Sequence, residues 1–177
     1  MMTIPLTQGK VALVDDEKYE ELNQHKWCAD KKHGSWYAFR GEYNSSTKKI
    51  KKIKMHRQLM NFPHGFIDHK NRNGLDNRIE NLRICNHSMN RANSKLNKNN
   101  KTGFRGVSLR KDTMKFTAKI GRKKIGCFCT PEDAAKAYDK KAKELFGDFS
   151  TLNFPNEDAT VNRQQSTANE GGGMVNG

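Results

Sequence analysis

Apolar residues in the first half of the chain recur mostly with the two-residue period of half-buried β-strands. Residues 3–15 have this character, and Gly9 divides them into two short strands joined by a turn. Residues 35–42 and 48–55 predict a second antiparallel pair. Between these pairs, residues 17–25 predict a short helix whose acidic residues lie near its start, where the helix dipole stabilises them.

The strand over residues 48–55 has two chemically different faces. Ile53 and Met55 alternate with Lys52 and Lys54, and alternate residues of a strand point to opposite faces of a sheet. One face of this hairpin should therefore be buried, whereas the other should carry positive charge towards solvent or a bound polyanion.

Two further short helices are predicted near the middle of the chain. The first covers residues 56–62 and is ended by Pro63, which cannot continue a helix. The second begins at Asn86, and apolar residues recur at helical spacing from there as far as Leu96. Residues 94–102 are polar and basic without a sustained apolar period, which indicates a linker that follows the backbone of a bound nucleic acid.

The pattern changes after residue 102. Alternating apolar and basic residues predict three strands over residues 104–110, 115–121 and 124–129. Thr130 and Pro131, followed by two carboxylates, predict the start of a helix that Gly147 ends. The apolar stripe of this helix is rich in alanine, so it should approach the sheet closely.

These elements predict an α+β protein with two small domains. The first covers residues 1–93, and a basic linker over residues 94–102 joins it to the second. The second domain, residues 103–155, should be a three-stranded antiparallel sheet packed on one helix. Residues 156–177 contain a triple glycine and almost no large apolar side chains, which predicts a disordered tail.

Positive charge is concentrated in one block of the chain. Residues 41–130 hold 22 basic and five acidic side chains, whereas residues 1–40 hold six of each. Such a block repels itself unless a polyanion lies against it, so double-stranded DNA is the expected partner. Nothing in the pattern points to an obligate protein partner.

Other classes of protein fit the sequence poorly. No apolar run approaches the ~20 residues that a membrane-spanning helix needs, and the N-terminus lacks the apolar core of a signal peptide. We therefore expect a soluble intracellular protein without membrane contact. The four cysteines include no Cys-x-x-Cys pair, which argues against disulfides and a structural zinc site.

The richest chemistry lies in residues 67–90. Asp68 and Asn90 offer oxygen ligands that suit Mg²⁺ or Mn²⁺, and His69 offers a base that titrates near neutral pH. Hydrolysis of a phosphodiester requires an activated water and a stabilised anion, and these side chains suit both tasks. Asn81 lies on the turn into the next strand, where its amide can hold the loop that follows His69. Each residue alone is weak support, because an isolated Asp-His pair is more often a surface feature.

The same region carries the motifs Met55-His56-Arg57, Asp68-His69, Asn73-Gly74, Asp76-Asn77-Arg78, Glu80-Asn81-Leu82-Arg83 and Met89-Asn90. Together they resemble the HNH endonucleases of the phage and intron homing type, over roughly residues 5–95. The resemblance implies the ββα-metal fold, with His69 as general base and with Asp68 and Asn90 as ligands of a divalent metal. It also implies that Asn81 locks the loop, and it suits Arg57 as a phosphate contact near the cut.

A second set of motifs comprises Phe104-Arg105-Gly106-Val107, Lys115-Phe116-Thr117-Ala118-Lys119-Ile120, Gly126-Cys127-Phe128, Pro131-Glu132-Asp133-Ala134-Ala135, Ala137-Tyr138-Asp139 and Leu152-Asn153-Phe154. These motifs resemble the plant APETALA/ethylene-response-factor DNA-binding domain over residues 103–155. The resemblance implies that the sheet lies in the major groove of DNA and that its basic side chains contact bases and phosphates. The expected contacts of this domain are Arg105, Arg110, Lys115, Lys119, Arg122 and Lys123, to which the cationic face of the earlier hairpin adds Lys52 and Lys54.

The sequence departs from the plant pattern at three positions. Ser108 stands where an arginine is usual, and Asp112 and Lys124 lie near the positions of two expected tryptophans. We therefore expect the docking mode of the family but not its plant target sequence.

The leading hypothesis is a metal-dependent DNA endonuclease of the homing type, located with DNA in the cytoplasm of a bacterial or phage-infected cell. Its alternative is a non-catalytic, sequence-specific DNA-binding regulator. An RNA-binding protein is a weaker third possibility, because no exposed aromatic platform for stacking single strands is evident.

Overall fold

The computed structural model describes residues 1–32 and 34–155, so the predicted disordered tail lies outside the described residues. The chain forms two compact units, of which unit 1 is Met1–Lys95 and unit 2 begins at Leu96. The division falls inside the stretch that was predicted as a linker. Both units combine helices with antiparallel sheets, which confirms the predicted α+β class.

Unit 1 contains three antiparallel sheets and three helices among its described residues. Its strands are β1 (Met2–Pro5), β2 (Val11–Val14), β3 (Cys28–Lys32), β4 (Ser35–Asn44), β5 (Lys49–Lys54), β6 (Phe66–His69) and β7 (Leu82–Cys85). Its helices are α1 (Asp16–Asn23), α2 (Met55–Leu59) and α3 (His87–Ala92). Strand β1 pairs with β2, β4 lies between β3 and β5, and β6 pairs with β7.

Burial in unit 1 follows the apolar pattern of the sequence. Ile53 of β5 and Met55, the first residue of α2, are buried while Lys52 is exposed, as the alternation predicts at these positions. Ile50, however, is exposed on the same face of β5 as Lys52. The core also contains Trp27, whose indole Nε1–H donates to the carbonyl oxygen of Leu22 at 2.7 Å. This bond satisfies the polar edge of a buried ring and ties the end of α1 to the start of β3.

In unit 1, the predicted ends of two helices are wrong, and one strand is unexpected. Helix α2 ends at Leu59 and not near Pro63, because Asn61 and Phe62 adopt positive φ angles of 54° and 51° that no helix continues. Helix α3 ends at Ala92, and Leu96 is 42% exposed outside it. Strand β3 was not predicted at all.

Unit 2 consists of one sheet and one long helix, as predicted. Its elements are β8 (Val107–Arg110), β9 (Lys115–Ile120), β10 (Lys123–Phe128) and α4 (Pro131–Phe146), with β9 in the centre of the sheet. Thr130 caps α4 by accepting from the backbone N–H of Asp133 at 3.2 Å. The helix packs on the sheet through buried Ala134, Ala135, Tyr138 and Ala142.

The first strand of unit 2 is shorter than predicted. It begins at Val107 and not at Phe104, because Gly106 has a φ of +72° that interrupts the extended chain. A Cβ at Gly106 would lie 2.1 Å from the ring of Tyr138, so only glycine allows the helix to come this close. No described helix is long and apolar enough to cross a membrane.

Candidate active site

The candidate catalytic residues lie where β6 ends in the β6–β7 hairpin. Asp68 and His69 are the last two residues of β6, and they pair with Arg83 and Leu82 of β7. Both side chains are only 6% exposed. Helix α3 follows β7 directly and packs against β6, which gives the ββα arrangement expected from the sequence.

The carboxylate of Asp68 is held by two side chains. Arg83 donates from Nε at 2.9 Å and from Nη2 at 2.8 Å, both to Oδ2. Asn93 donates from Nδ2 at 3.0 Å to each carboxylate oxygen, and at 2.9 Å to the carbonyl oxygen of His69. Burial of this charge is therefore offset by one ion pair and several hydrogen bonds.

Asn90 lies one helical turn before Asn93. It is half-buried, and its side chain makes no hydrogen bond to any residue that the structure describes. Residues three apart on a helix share a face, so Asn90 and Asn93 lie on the same side of α3. The direct partners of Asp68 in this structure are thus Arg83 and Asn93, and a contact with Asp68 was predicted for neither.

The donor set suits a hard divalent cation. Within residues 1–32 and 34–155, no group of three or more His, Cys, Asp or Glu side chains could hold a metal ion. Mg²⁺ often binds through only one or two carboxylates and completes its coordination with water and phosphate. Among the described residues, Oδ1 of Asp68 accepts only from Asn93, so it keeps a lone pair for a metal ion. The amide oxygen of Asn90, on the helix face that Asn93 shares, offers a second ligand atom.

His69 lies against two other rings. Its ring centroid is 5.1 Å from that of His56 and 5.9 Å from that of Tyr37. Burial lowers the pKa of His69, against the opposing effects of the Asn77 side chain and of carboxylates such as Asp68, so the ring is neutral at pH 7. Its Nε2 atom is buried and has no hydrogen-bond partner among the described residues.

His56 is the more deeply perturbed of the two histidines. Its pKa falls from 6.5 to about 3, first because the ring is buried and then because His69 lies beside it. Its Nδ1 atom is buried and unpartnered among the described residues. The sequence analysis placed His56 in a motif but did not predict its contact with His69.

The loop between β6 and β7 is tied internally by carboxamides. Asn81 is buried and accepts from the backbone N–H of Asn71 at 3.0 Å, while its Nδ2 donates to the carbonyl oxygen of Asp76 at 2.7 Å. Asp76 in turn binds Arg78 through two N–H groups at 2.9 and 2.8 Å. This geometry is the kind that the predicted loop-locking role of Asn81 requires.

Strand β2 supports the same loop from outside. The backbone N–H of Leu13 donates to the carbonyl oxygen of Leu75, and the N–H of Asn77 donates to the carbonyl oxygen of Leu13, each at 2.8 Å. A Cβ at Gly74 would lie 2.6 Å from the ring of Tyr37, so the loop packs directly on the ring that contacts His69.

Arg57 binds the backbone of the loop that leads into β6, and its contact with a phosphate stays a prediction. Its guanidinium donates to the backbone carbonyl oxygens of Pro63 and Gly65, the second at 3.1 Å. These bonds hold the loop that leads into β6, so Arg57 helps to fix the start of the strand that carries Asp68 and His69.

The register of unit 2 places four of the five basic residues on its strands on one face of the sheet. This face, called the basic face below, carries Ser108, Arg110, Lys115, Thr117, Lys119, Lys124 and Cys127. Its centre is neutral and well packed, because Thr117 is 1% exposed and its Oγ1 lies 3.5 Å from Sγ of Cys127. The Thr117 hydroxyl and Lys124 lower the pKa of the Cys127 thiol.

Three of the residues of unit 2 that were predicted to contact DNA lie outside the basic face. The register places Lys124, and not Lys123, opposite Lys119, while Lys123 pairs with Ile120 on the other register face. Arg122 occupies the β9–β10 turn. Arg105 precedes β8, where the side chain of Asn153 accepts from its backbone N–H at 2.6 Å.

Comparisons with known proteins find one matching family and similarity to plant proteins. The profile of a family described as HNH endonuclease matches residues 61–92. Dehydration-responsive element-binding protein 2A of Arabidopsis thaliana is 37% identical over 78 residues, which cover 41% of this chain and 23% of that protein. Ethylene-responsive transcription factor ERF024 of the same plant is 42% identical over 59 residues, or 30% of this chain and 32% of that protein. No solved structure matches significantly.

Residues 61–92 are thus similar to HNH endonucleases, and part of the chain is similar to plant proteins of the ethylene-response-factor type. The HNH module contains the β6–β7 hairpin and α3, since the matched residues span both. The chain spans less than a third of the length of either plant relative, so the likeness concerns one module of those proteins.

The buried His56 should make the HNH module unstable in acid. An unfolded histidine binds a proton below pH 6.5, whereas folded His56 does so only near pH 3, so stability falls as the pH drops from 6.5 towards 3. Between pH 6.5 and pH 4.5 this one group should account for about 2 kcal/mol. His56→Phe should lose correspondingly less stability over this range, as measured by urea unfolding.

Tryptophan fluorescence is the suitable signal for that experiment, because both tryptophans, Trp27 and Trp36, belong to unit 1. His64 is exposed, so His64→Phe is the matched control and should show the pH dependence of the wild type. Equal acid sensitivity of the His56 variant and the wild type would contradict the assignment.

Proposed function

We propose that this protein is a DNA endonuclease of the HNH homing type, which hydrolyses phosphodiester bonds with His69 as general base. The observation that carries the proposal is the state of His69. Its ring is buried and neutral beside the Asp68 carboxylate, and its Nε2 is unpartnered among the described residues. A base in this state can accept a proton from an attacking water at neutral pH.

The surroundings of His69 suit that task. Its ring lies between His56 and Tyr37, which limit its orientation. Once the ring takes the proton it becomes cationic, and the adjacent charge of Asp68 stabilises it there. The loop held by Asn81 and the carbonyl bonds of Arg57 keep both ends of this hairpin in place.

Asp68 and Asn90 would hold Mg²⁺, or Mn²⁺, as the metal ligands of this site. When bound, such an ion supplies positive charge that stabilises the departing oxygen of the cleaved phosphodiester. Arg83 and Asn93 orient the Asp68 carboxylate, in the way that hydrogen bonds commonly fix a ligating carboxylate.

The ethylene-response-factor-like module would direct the cut. Phosphate contacts provide affinity but little sequence information, so a small nuclease alone would cut with little selectivity. The basic face of unit 2 supplies cationic side chains on the strands of its sheet. Tethering this face to the nuclease raises its effective concentration at the DNA, and each bidentate arginine–guanine contact adds about 1–3 kcal/mol of discrimination.

A non-catalytic DNA-binding regulator is the second candidate. The observation that favours it is the ion pair of Asp68 with Arg83, which engages the carboxylate that a metal would need. In that case the HNH module would serve only as a basic scaffold for DNA.

The decisive experiment is cleavage of supercoiled plasmid in Mg²⁺ buffer by the full-length protein. The wild type should produce nicked or linear DNA, and His69→Ala should be at least about a hundredfold slower because the general base is lost. His64→Ala, at an exposed position, should cut like the wild type. A wild type that binds plasmid but leaves it uncut under all these conditions would favour the regulator.

The metal ligands make a separate prediction. Asn90→Ala should raise the Mg²⁺ concentration for half-maximal cleavage about tenfold or more, with little loss of folding stability because its side chain holds nothing else in place. Asn93→Ala should instead destabilise the fold by about 1–3 kcal/mol, because it leaves a buried carboxylate under-satisfied. An unchanged Mg²⁺ requirement in Asn90→Ala would remove Asn90 from the ligand set.

The role of unit 2 can be tested by sequencing the ends that the protein produces in a random DNA library. Replacement of Lys119 and Lys124 by alanine should broaden the range of cut sequences, because both lie on the basic face. Lys140→Ala is the control, since Lys140 is exposed on α4. A cleavage pattern that the double variant leaves unaltered would show that unit 2 does not choose the site.

A further inference from the structure

The β4–β5 hairpin carries an exposed apolar pair close to the turn that joins its two strands. Residues 41–52 are all exposed, and within them Tyr43 and Ile50 face each other across the two strands. Tyr43 is 64% exposed and Ile50 is 71% exposed. A Cβ at Gly41 would lie 3.0 Å from Ile50, so the isoleucine side chain lies over the glycine on the same face.

This apolar pair shares a face with the residues beside His69. Alternation along β4 puts Tyr37 and Phe39 on the same face as Tyr43. Nζ of Lys54 lies 5.6 Å from the ring centroid of Tyr37, and Nζ of Lys52 lies 4.5 Å from that of Phe39. The six residue steps from Tyr37 to Tyr43 span about 20 Å of extended strand, so one continuous face leads from the active site outwards.

The hairpin is strongly cationic. Residues 40–54 contain six basic side chains and one acidic side chain. At its base, burial lowers the pKa of Lys54, and the positive charges of Lys32 and Arg57 lower it further. This crowding of positive charge would be relieved by an anion bound at the same place.

A polyanion suits this surface better than a second copy of the chain. Strand β5 is the edge of its sheet and has four lysines among its six residues. Lysines along an edge oppose pairing with another strand, and two such edges would repel each other. A twisted two-stranded ribbon, in contrast, fits the groove of a DNA duplex.

We propose that residues 40–54, named the arm here, bind duplex DNA beside the scissile bond, with the lysines on phosphates and with Tyr43 and Ile50 packed against the bases. Apolar side chains that enter a groove can part neighbouring bases and so fix the position of the duplex. Because Tyr43 and Ile50 lie on the same face as Tyr37, the length of the hairpin then sets the distance between the contacted bases and His69. The proposal rests on the proposed function in that the bound duplex is the substrate.

Binding of the full-length protein to a fluorescent 40-bp duplex, measured by anisotropy in EDTA, separates the arm from the chemistry. The double variant Tyr43→Ser/Ile50→Ser should bind about tenfold more weakly, because contacts between aromatic side chains and bases are lost. Its salt dependence should remain that of the wild type, because no charge is removed. Val11→Ser is the matched control, since Val11 is a 50% exposed apolar residue on β2.

A triple variant with Lys49, Lys51 and Lys52 replaced by glutamine should show the complementary change. The slope of log affinity against log salt should become shallower by about 2 to 3, which corresponds to the loss of up to three phosphate contacts. Far-UV circular dichroism should be unaltered in both variants, because the substituted side chains are exposed.

The outcomes distinguish the two proposals. If the wild type binds in EDTA and the double variant binds more weakly, the arm stands even when no DNA is cut in Mg²⁺, and only the nuclease assignment fails. If the double variant binds like the wild type, the arm proposal is overturned. It is also overturned if the double variant loses a dimer in sedimentation without losing DNA affinity, because the partner of the arm is then a second copy.

Discussion

The buried charge of Asp68 is the constraint on which the HNH module depends. Its carboxylate is satisfied only when Arg83 of β7 and Asn93 at the end of α3 both reach it, so one ionised group joins the three elements of the ββα unit. Removing Arg83 would leave a buried charge without its ion-pair partner, which typically costs ~3–5 kcal/mol, and removing Asn93 would leave the same carboxylate short of hydrogen bonds. The same contacts fix the direction of the carboxylate, so the interaction that stabilises this fold also prepares the proposed metal ligand.

A second consequence concerns His69, the next residue along β6. Because β6 is fixed at Asp68, the His69 ring must enter the space between His56 and Tyr37. That space is closed by Gly74, where any side chain would collide with the ring of Tyr37. Burial there keeps His69 neutral, because a buried ring disfavours the charged form. A histidine that acts as a base must be neutral before it takes the proton. The neutral state of His69 thus follows from burial, which outweighs the opposing effects of the Asn77 side chain and of the nearby carboxylates on its pKa.

The sequence predicted those parts of the structure that depend on local pattern. Alternation identified the buried Ile53 and the exposed Lys52 of β5, and the Thr130-Pro131 start placed α4 correctly, because strand alternation and helix caps depend on residues a few positions apart. Asn93 was missed because its role depends on where α3 ends against β6. Lys124 was missed in favour of Lys123 because an irregularity between Lys124 and Gly126 shifts the register. Contacts between distant segments leave no periodic signal.

In the proposed function, the two units contribute separate surfaces to the recognition of DNA. The basic face of unit 2 has a neutral centre, where Thr117 and Cys127 contact each other between cationic neighbours. Such a surface can approach bases at its centre while lysines and arginines bind the flanking phosphates. The arm of unit 1 likewise places an uncharged pair of side chains among lysines, although this pair is apolar and lies on a hairpin. A nuclease site with one carboxylate gains little binding energy of its own, so affinity and position must come from surfaces outside it. Two such surfaces, one within the nuclease unit and one beyond the linker, would define a cut more narrowly than either surface alone.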